Sequence, residues 1–438
     1  MAANIGNEGD SAWVLASSAL VLLMTPGLAF FYGGLVRDTS LINTMMMSII
    51  AMGVISILWA LVGFSLAFGD GGPVIGNFDF AVFYELDDRT WGDTAVWSLA
   101  FAVFQMTFAI IAAAILSGSL VERIRFQAYV IFIALWSLFV YVPICHWVWG
   151  PRGWMEEWGA LDFAGGTVVH VSSGTSGLVA AMLLGPRAHK ASTEDKPHNV
   201  PFVLLGAALL WFGWSGFNGG SAFAADAVAA RALASTYLAA SASMLVWTII
   251  DSIRYNHPSS VGAMVGAVAG LVVITPAAGF VSPQGAIIMG ILGAPVCYCA
   301  VVLMGKLKRI DDALDAFALH GVGGFWGAVL TGAFALDGGL FYNGGWALLG
   351  KQVVCSLVGV AYAAGVTALI FIVLKAVMRV RVLEHEESRG VDQHVHGEKA
   401  YSPAKSYTLP HYMSNQTSIN EGSDCVTGVG VQTDTVTV

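Results

Sequence analysis

Charge is what this chain most lacks. Of its 438 residues only 11% are Asp, Glu, Lys or Arg, against 56% hydrophobic, whereas a soluble globular domain carries about 25% charged residues. A soluble fold of this composition would expose far too much apolar surface, and that class is excluded. Cysteine is scarce as well, with five residues. Cys145, Cys297, Cys299 and Cys355 sit in apolar runs and Cys425 in a polar tail. They form no disulfide framework, and thiols so placed pack as small hydrophobes. The first ten residues, Met1 to Asp10, are acidic and lack the basic region of a secretory signal, so the first apolar run is expected to be retained as a helix. Nucleophile, metal-ligand and nucleotide motifs are missing too, which argues against a membrane enzyme.

What is present is a series of apolar runs of about 20 residues, the length that crosses a bilayer core of about 30 Å. With no water at that depth, helices satisfy the backbone within each run. The 51 glycines fit this reading, because small residues let membrane helices approach closely. Eleven helices are expected, over 12–35, 42–68, 94–121, 127–149, 165–185, 200–219, 231–250, 259–277, 284–305, 315–335 and 346–378. Arg37, Arg123, Arg125, Arg187, Lys190, Lys196, Arg254, Lys306, Lys308, Arg309, Arg379 and Arg381 fall in alternate loops and after the last run. By the positive-inside rule this puts the N-terminus outside and the C-terminus inside. The net charge of −9 is assigned to loops and tail. Loop 69–93, with six acids on the outer side, reads either as an ordinary solvated loop or as a field that concentrates cations. The chain thus divides into a membrane domain, 1–382, and a tail, 383–438. Residues 384–401 are charged enough to dock on the cytoplasmic face, and 402–438 have too little apolar content to order themselves.

A titratable side chain inside a membrane helix is a functional hypothesis by default. His170 lies in the fifth expected helix, within Gly165-Gly166-Thr167-Val168-Val169-His170, and His320 in the tenth, within Leu319-His320-Gly321-Val322-Gly323-Gly324. Asp162 precedes the first by eight residues and Asp315 the second by five. At about 1.5 Å per residue both histidines fall near mid-depth, on helices of opposite direction. Two such helices five spans apart suggest a five-plus-five inverted repeat followed by an extra C-terminal helix, with a site at the midplane. As a metal site the pair is short of ligands. As core histidines they would need polar partners in an apolar bundle. As neighbours lining a narrow pore they can bond each other and leave ring nitrogens for a solute, and this reading is preferred. Asp162 and Asp315 stand near helix starts, where a carboxylate caps backbone N–H groups. They read as structural residues, with ligands of a transported ion as the alternative.

At these residues the chain resembles the Amt/Mep/Rh ammonium transporter family. The resemblance runs from about Trp13 to Tyr401 and includes Pro26-Gly27-Leu28-Ala29-Phe30-Phe31-Tyr32-Gly33-Gly34, Glu122-Arg123-Ile124-Arg125-Phe126 and Leu161-Asp162-Phe163-Ala164-Gly165-Gly166. It continues through Gly213-Trp214-Ser215-Gly216-Phe217-Asn218-Gly219-Gly220-Ser221, Val273-Ile274-Thr275-Pro276-Ala277 and Asp315-Ala316-Phe317-Ala318-Leu319-His320-Gly321. Trp149 favours the Amt/Mep branch over the Rh branch. The resemblance implies transport of ammonium or ammonia, with methylammonium as a related substrate, and no cofactor. It implies an outer recruitment site at Trp149, Phe108 and Ser221 with Gln105 nearby, a phenylalanine gate of Phe108 and Phe217, and a pore lined by His170 and His320. It further implies a homotrimer in the plasma membrane, or in the inner membrane of a bacterium. Residues 389–401 are similar to the family's regulatory segment, although His394 stands where phosphorylated members carry Thr. An ammonium sensor signalling through this tail is the rival reading.

Overall fold

The computed structural model describes residues 6–188, 190 and 196–401, and among these the regular structure is helical, with no strand and two isolated bridges. Among the described residues, ten helices are long and apolar enough to cross a membrane. In chain order these are α1 (Glu8–Leu35), α2 (Asp38–Phe68), α3 (Ser98–Ser119), α4 (Phe126–Glu157, interrupted after Trp149), α5 (Gly166–Leu184), α6 (Val200–Gly220) and α7 (Ala227–Tyr255). After the short α8 (Ser260–Ile274) come α9 (Pro283–Lys306), α10 (Phe317–Phe334) and α11 (Ala347–Val377).

The expected eighth span, 259–277, differs from what forms. Its helix has 15 residues, about 22 Å at 1.5 Å per residue, short of the bilayer core. Pro276 lacks the N–H that would continue the ladder, and residues 275–280 go on as turns. That backbone is paired elsewhere: Phe163 N donates to Pro276 O and Leu336 N to Phe280 O.

Glycine sets the closest helix contacts. Gly206, Gly213 and Gly220 recur every seventh residue on α6, and a methyl on any of them would strike α1, at the Phe31 backbone, Met24 and Ser17 respectively. A methyl on Gly174 of α5 would likewise strike the backbone of Gly321 in α10. Both seams place backbones against each other where no side chain fits, which is how membrane helices gain dispersion contact without a hydrophobic drive.

Connectivity gives the bundle two ends. One, here the loop face, carries segment 69–97 and the ends of α4 and α6. There Asn7 N bonds Ala95 O and the Trp13 indole bonds Gly219 O. The other is the tail face, where Arg381 pairs with Glu387 at 2.8 Å and Arg37 donates to the carbonyls of Glu387 and Ser388. Asp392 accepts from the backbone of Ile42 and Asn43 at 2.9 and 2.8 Å, capping the start of α2. Residues 402–438, expected to lack order, and Cys425 with them lie outside the described residues.

Beneath the tail lies a charged cluster. Arg123 is fully buried and spends its guanidinium on the carbonyls of Gly185, Val121, Ser119 and Asp311. Arg187 bridges Glu122 at 2.8 Å and Asp311 at 2.9 Å, and Arg37 also pairs with Glu122. Burial alone would raise the Glu122 carboxyl, but Arg187 and Arg37 outweigh it and hold it below its ordinary value. At Asp311 burial is likewise outweighed, by Arg187 and Arg123. A carboxyl lowered in the folded state contributes its stability fully above its unfolded pKa, about 4, and loses it as pH falls through the lowered folded value. The melting temperature should therefore decline below about pH 4, and Glu122→Gln should flatten that acid limb. An equally steep limb in the variant would assign the acid sensitivity to other groups.

Candidate functional site

Two spaces with a plug between them lie inward from the loop face. The first is a vestibule of about 550 Å³ whose lining includes Gln105, Phe108, Trp149, Asp162 and Ser221. The four residues expected at the recruitment site thus share one cavity. Ser221 and Gln105 keep acceptor lone pairs unused. The Ser221 hydroxyl donates to Phe217 O at 2.8 Å, which turns its lone pairs outward. Gln105 is 4% exposed and its Oε1 has no partner. The Trp149 indole N–H is occupied by Asp162 O at 2.8 Å, which fixes its ring edge-on to Phe108 at 6.0 Å.

The second element is a plug. Phe108 and Phe217 stack with centroids 4.2 Å apart and planes 28° apart, both buried. Phe108 faces the vestibule and Phe217 the next space. That space is a chamber of about 10 Å³, room for about one water-sized probe. Its walls include Leu28, Phe31, Ile115, Trp214, His170 and His320. The two Nδ1 atoms of the histidines stand 3.1 Å apart, and Nε2 of His170 is buried without a partner. Since Nδ1 meets Nδ1, one ring donates there and the other accepts. Of two neutral rings, one then keeps a free Nε2 lone pair and the other an Nε2–H. The pair therefore offers one acceptor and one donor.

How two residues 150 positions apart come to touch follows from where their helices begin. α5 and α10 run in opposite directions, and each histidine lies about one turn from its helix start. They can meet only if both helices start at the same level, inside the bundle. A buried helix start leaves N–H groups that water cannot reach. Asp162 satisfies four of them: Oδ1 accepts from Gly165 and Gly166, and Oδ2 from Thr167 and Val168, at 2.7–3.3 Å. At α10 the cap differs from the expectation of Asp315. Asp312 accepts from Phe317 and Ala318 at 2.8 and 3.2 Å and from the Ser119 hydroxyl at 2.6 Å. Asp315 instead takes a left-handed backbone, φ 57°, and lines a tail-face chamber of about 160 Å³ with Arg37, Glu122, Arg187 and Lys196. Among the described residues no cluster of three or more His, Cys, Asp or Glu could hold a metal ion.

A family model described as the Ammonium Transporter Family matches residues 12–401. The chain belongs to that family. The ammonium transporter of Bacillus subtilis (strain 168) is 46% identical to it over 402 residues, covering 90% of this chain and 98% of that protein. The crystal structure of Saccharomyces cerevisiae Mep2 superimposes with a TM-score of 0.82 at 35% identity, covering 86% of this chain and 88% of that one. A structure titled Sensor Amt Protein gives 0.81 at 31% identity, covering 88% and 97%. With ten apolar helices, this ammonium transporter is a multi-pass protein of the cell membrane.

Two features of the transporter's site escape a reading of motifs. Asp312 stands eight residues before His320, the same interval that separates Asp162 from His170. Equal spacing was the available signal, but Asp311, Asp312 and Asp315 crowd one short stretch and obscure it. Trp214, which stacks on His170 with centroids 5.6 Å and planes 24° apart, has no local signature that sets it apart from other aromatics of the bundle.

Proposed function

We propose that the chain takes up ammonium at the loop face, where it gives one proton to vestibule water, and passes the resulting ammonia through the histidine-lined chamber toward the tail face. In this reading the loop face is extracellular and the tail face cytoplasmic, α8 with the turns 275–280 counts as the eleventh crossing, and α1–α5 and α6–α10 are inverted repeats followed by α11. The matched Asp-to-His intervals on α5 and α10 support the repeat.

Ammonium is a small cation with N–H donors on every side. The faces of Trp149 and Phe108 attract it through their quadrupoles, worth about 0.5–2 kcal/mol, and the free acceptors on Ser221 and Gln105 take its hydrogens. Potassium is attracted by the same rings, so discrimination must come deeper. Moving an intact cation into an apolar chamber costs on the order of tens of kcal/mol by Born solvation. Removing a proton costs far less. With a lysine ammonium as stand-in, at a pKa about 3.4 units above neutrality and about 1.36 kcal/mol per unit, the cost is about 4–5 kcal/mol. Ammonia, both donor and acceptor, then fits the one-donor, one-acceptor face of His170 and His320. Potassium has no proton to lose.

The observation that carries this reading is the 3.1 Å histidine pair inside a chamber too small for a hydrated ion, behind a stacked aromatic plug. Purified protein in proteoliposomes should carry ammonium, and methylammonium more slowly, while excluding potassium. A second reading, an ammonium sensor, draws on the likeness to the sensor Amt structure and on the tail segment bound at α2. No ammonium flux in a correctly inserted preparation would favour it. By family likeness the chain assembles as a homotrimer with one pore per subunit, and residues 383–401 act as its regulatory segment.

A further inference from the structure

The transport reading leaves open what holds His170 in its plane. Among the described residues the His170 ring has one side-chain hydrogen bond, to His320, a single link about which it can pivot, and no partner for its other nitrogen. The flanking rings supply the remaining restraint: Trp214 at 5.6 Å and 24°, and Phe217 at 5.9 Å and 19°. Phe217 has no polar atom with which to be fixed. Trp214 has one, and its indole N–H donates to the Thr275 hydroxyl at 2.9 Å.

That hydroxyl is itself aimed. It donates to Leu271 O at 2.7 Å, so a lone pair is left for the indole. Thr275 is fully buried and Trp214 is 1% exposed, so the bond lies out of reach of bulk solvent. The backbone around the hydroxyl is pinned where α8 stops, with Thr275 N donating to Val272 O and Phe163 N to Pro276 O. The acceptor thus stands on a fixed turn, one ring removed from the histidine.

We propose that Thr275 is a positioning residue of the pore, holding the Trp214 indole so that His170 keeps the plane in which it bonds His320. This inference rests on the transport reading above, and selectivity is its readout. Thr275→Val keeps the shape but removes the acceptor, and the ammonium-to-potassium permeation ratio in proteoliposomes should fall about tenfold, the order expected for one buried donor left unpaired. Thr275→Ser restores the hydroxyl and should stay within about twofold of wild type. Once Trp214→Phe has removed the N–H, adding Thr275→Val should change the ratio by less than about twofold, because the two groups act as one unit.

The proposal fails if Thr275→Val keeps the wild-type ratio, if Thr275→Ser is as impaired as Thr275→Val, or if the valine acts in full in the Trp214→Phe background. Should Thr275→Val not reach the membrane folded, Trp214→Phe alone decides: a lowered ratio supports the tether and a wild-type ratio overturns it. The parent reading is tested separately by His170→Ala. Loss of selectivity in that variant with an unaffected Thr275→Val removes the positioning role only, whereas full selectivity in His170→Ala removes the transport mechanism itself.

Discussion

His170→Ala should turn a potassium-excluding pathway into one that leaks potassium. Removing the imidazole opens space beside a chamber of about 10 Å³, enough to admit water, which occupies about 30 Å³ per molecule in the liquid. It also leaves Nδ1 of His320 without its 3.1 Å partner, a polar group that draws water in. Each water that accompanies the ion reduces the desolvation barrier on which exclusion depends, and every 1.4 kcal/mol of that barrier is about tenfold in rate. The ammonium-to-potassium ratio should therefore drop by at least about tenfold, a larger change than for any variant that leaves both rings in place. Currents across planar bilayers under ammonium and then potassium gradients measure it. Wild-type uptake with potassium still excluded would sink the proposed mechanism.

Asp162→Ala should be the most destabilising single change at the site. Its carboxylate accepts four backbone N–H bonds at a helix start enclosed by the bundle. Hydrogen bonds to charged groups contribute about 1.5–3 kcal/mol each, so losing four approaches the whole net stability of a typical fold, about 5–15 kcal/mol. Little folded protein should survive extraction. Asp162→Asn retains one oxygen, which can serve Gly165 and Gly166, but its amide sets a donor against Thr167 and Val168. It should fall between alanine and wild type. Asp312→Ala loses two backbone bonds and one hydroxyl bond and should be milder than Asp162→Ala. Melting temperature and monodispersity in detergent report the order, and an Asp162→Ala protein as stable as wild type would refute the capping account.

The two aspartates also mark how far residue patterns carry the site. Asp162 was recognisable because it is the carboxylate nearest its helix and stands beside the glycines it caps. At α10 proximity to the helix start points to Asp315, and nothing local draws attention to Asp312 three residues earlier. A side chain that caps must reach back over the first turn, and a residue in left-handed backbone at φ 57° is turned away from that path. The short α8 has a similar cause. Its hydropathy continues past Ile274, but Pro276 ends the backbone ladder, and pairing with Phe163 and Leu336 lets the chain remain buried without a helix.

Hydropathy, the scarcity of charge and the rarity of ionisable residues within apolar runs determined by themselves that this chain is a helical membrane protein and that His170 and His320 are its unusual residues. Those are properties of short windows, and each run must satisfy its own backbone wherever it lies. Only the tertiary structure decided that the two rings touch, that Phe108 covers Phe217, that Asp312 and not Asp315 caps α10, and that Thr275 holds Trp214. These are meetings of atoms about 60 to 150 positions apart or of closely similar neighbours. They depend on where helices begin and how nearly glycine lets them cross, and no local spacing encodes either.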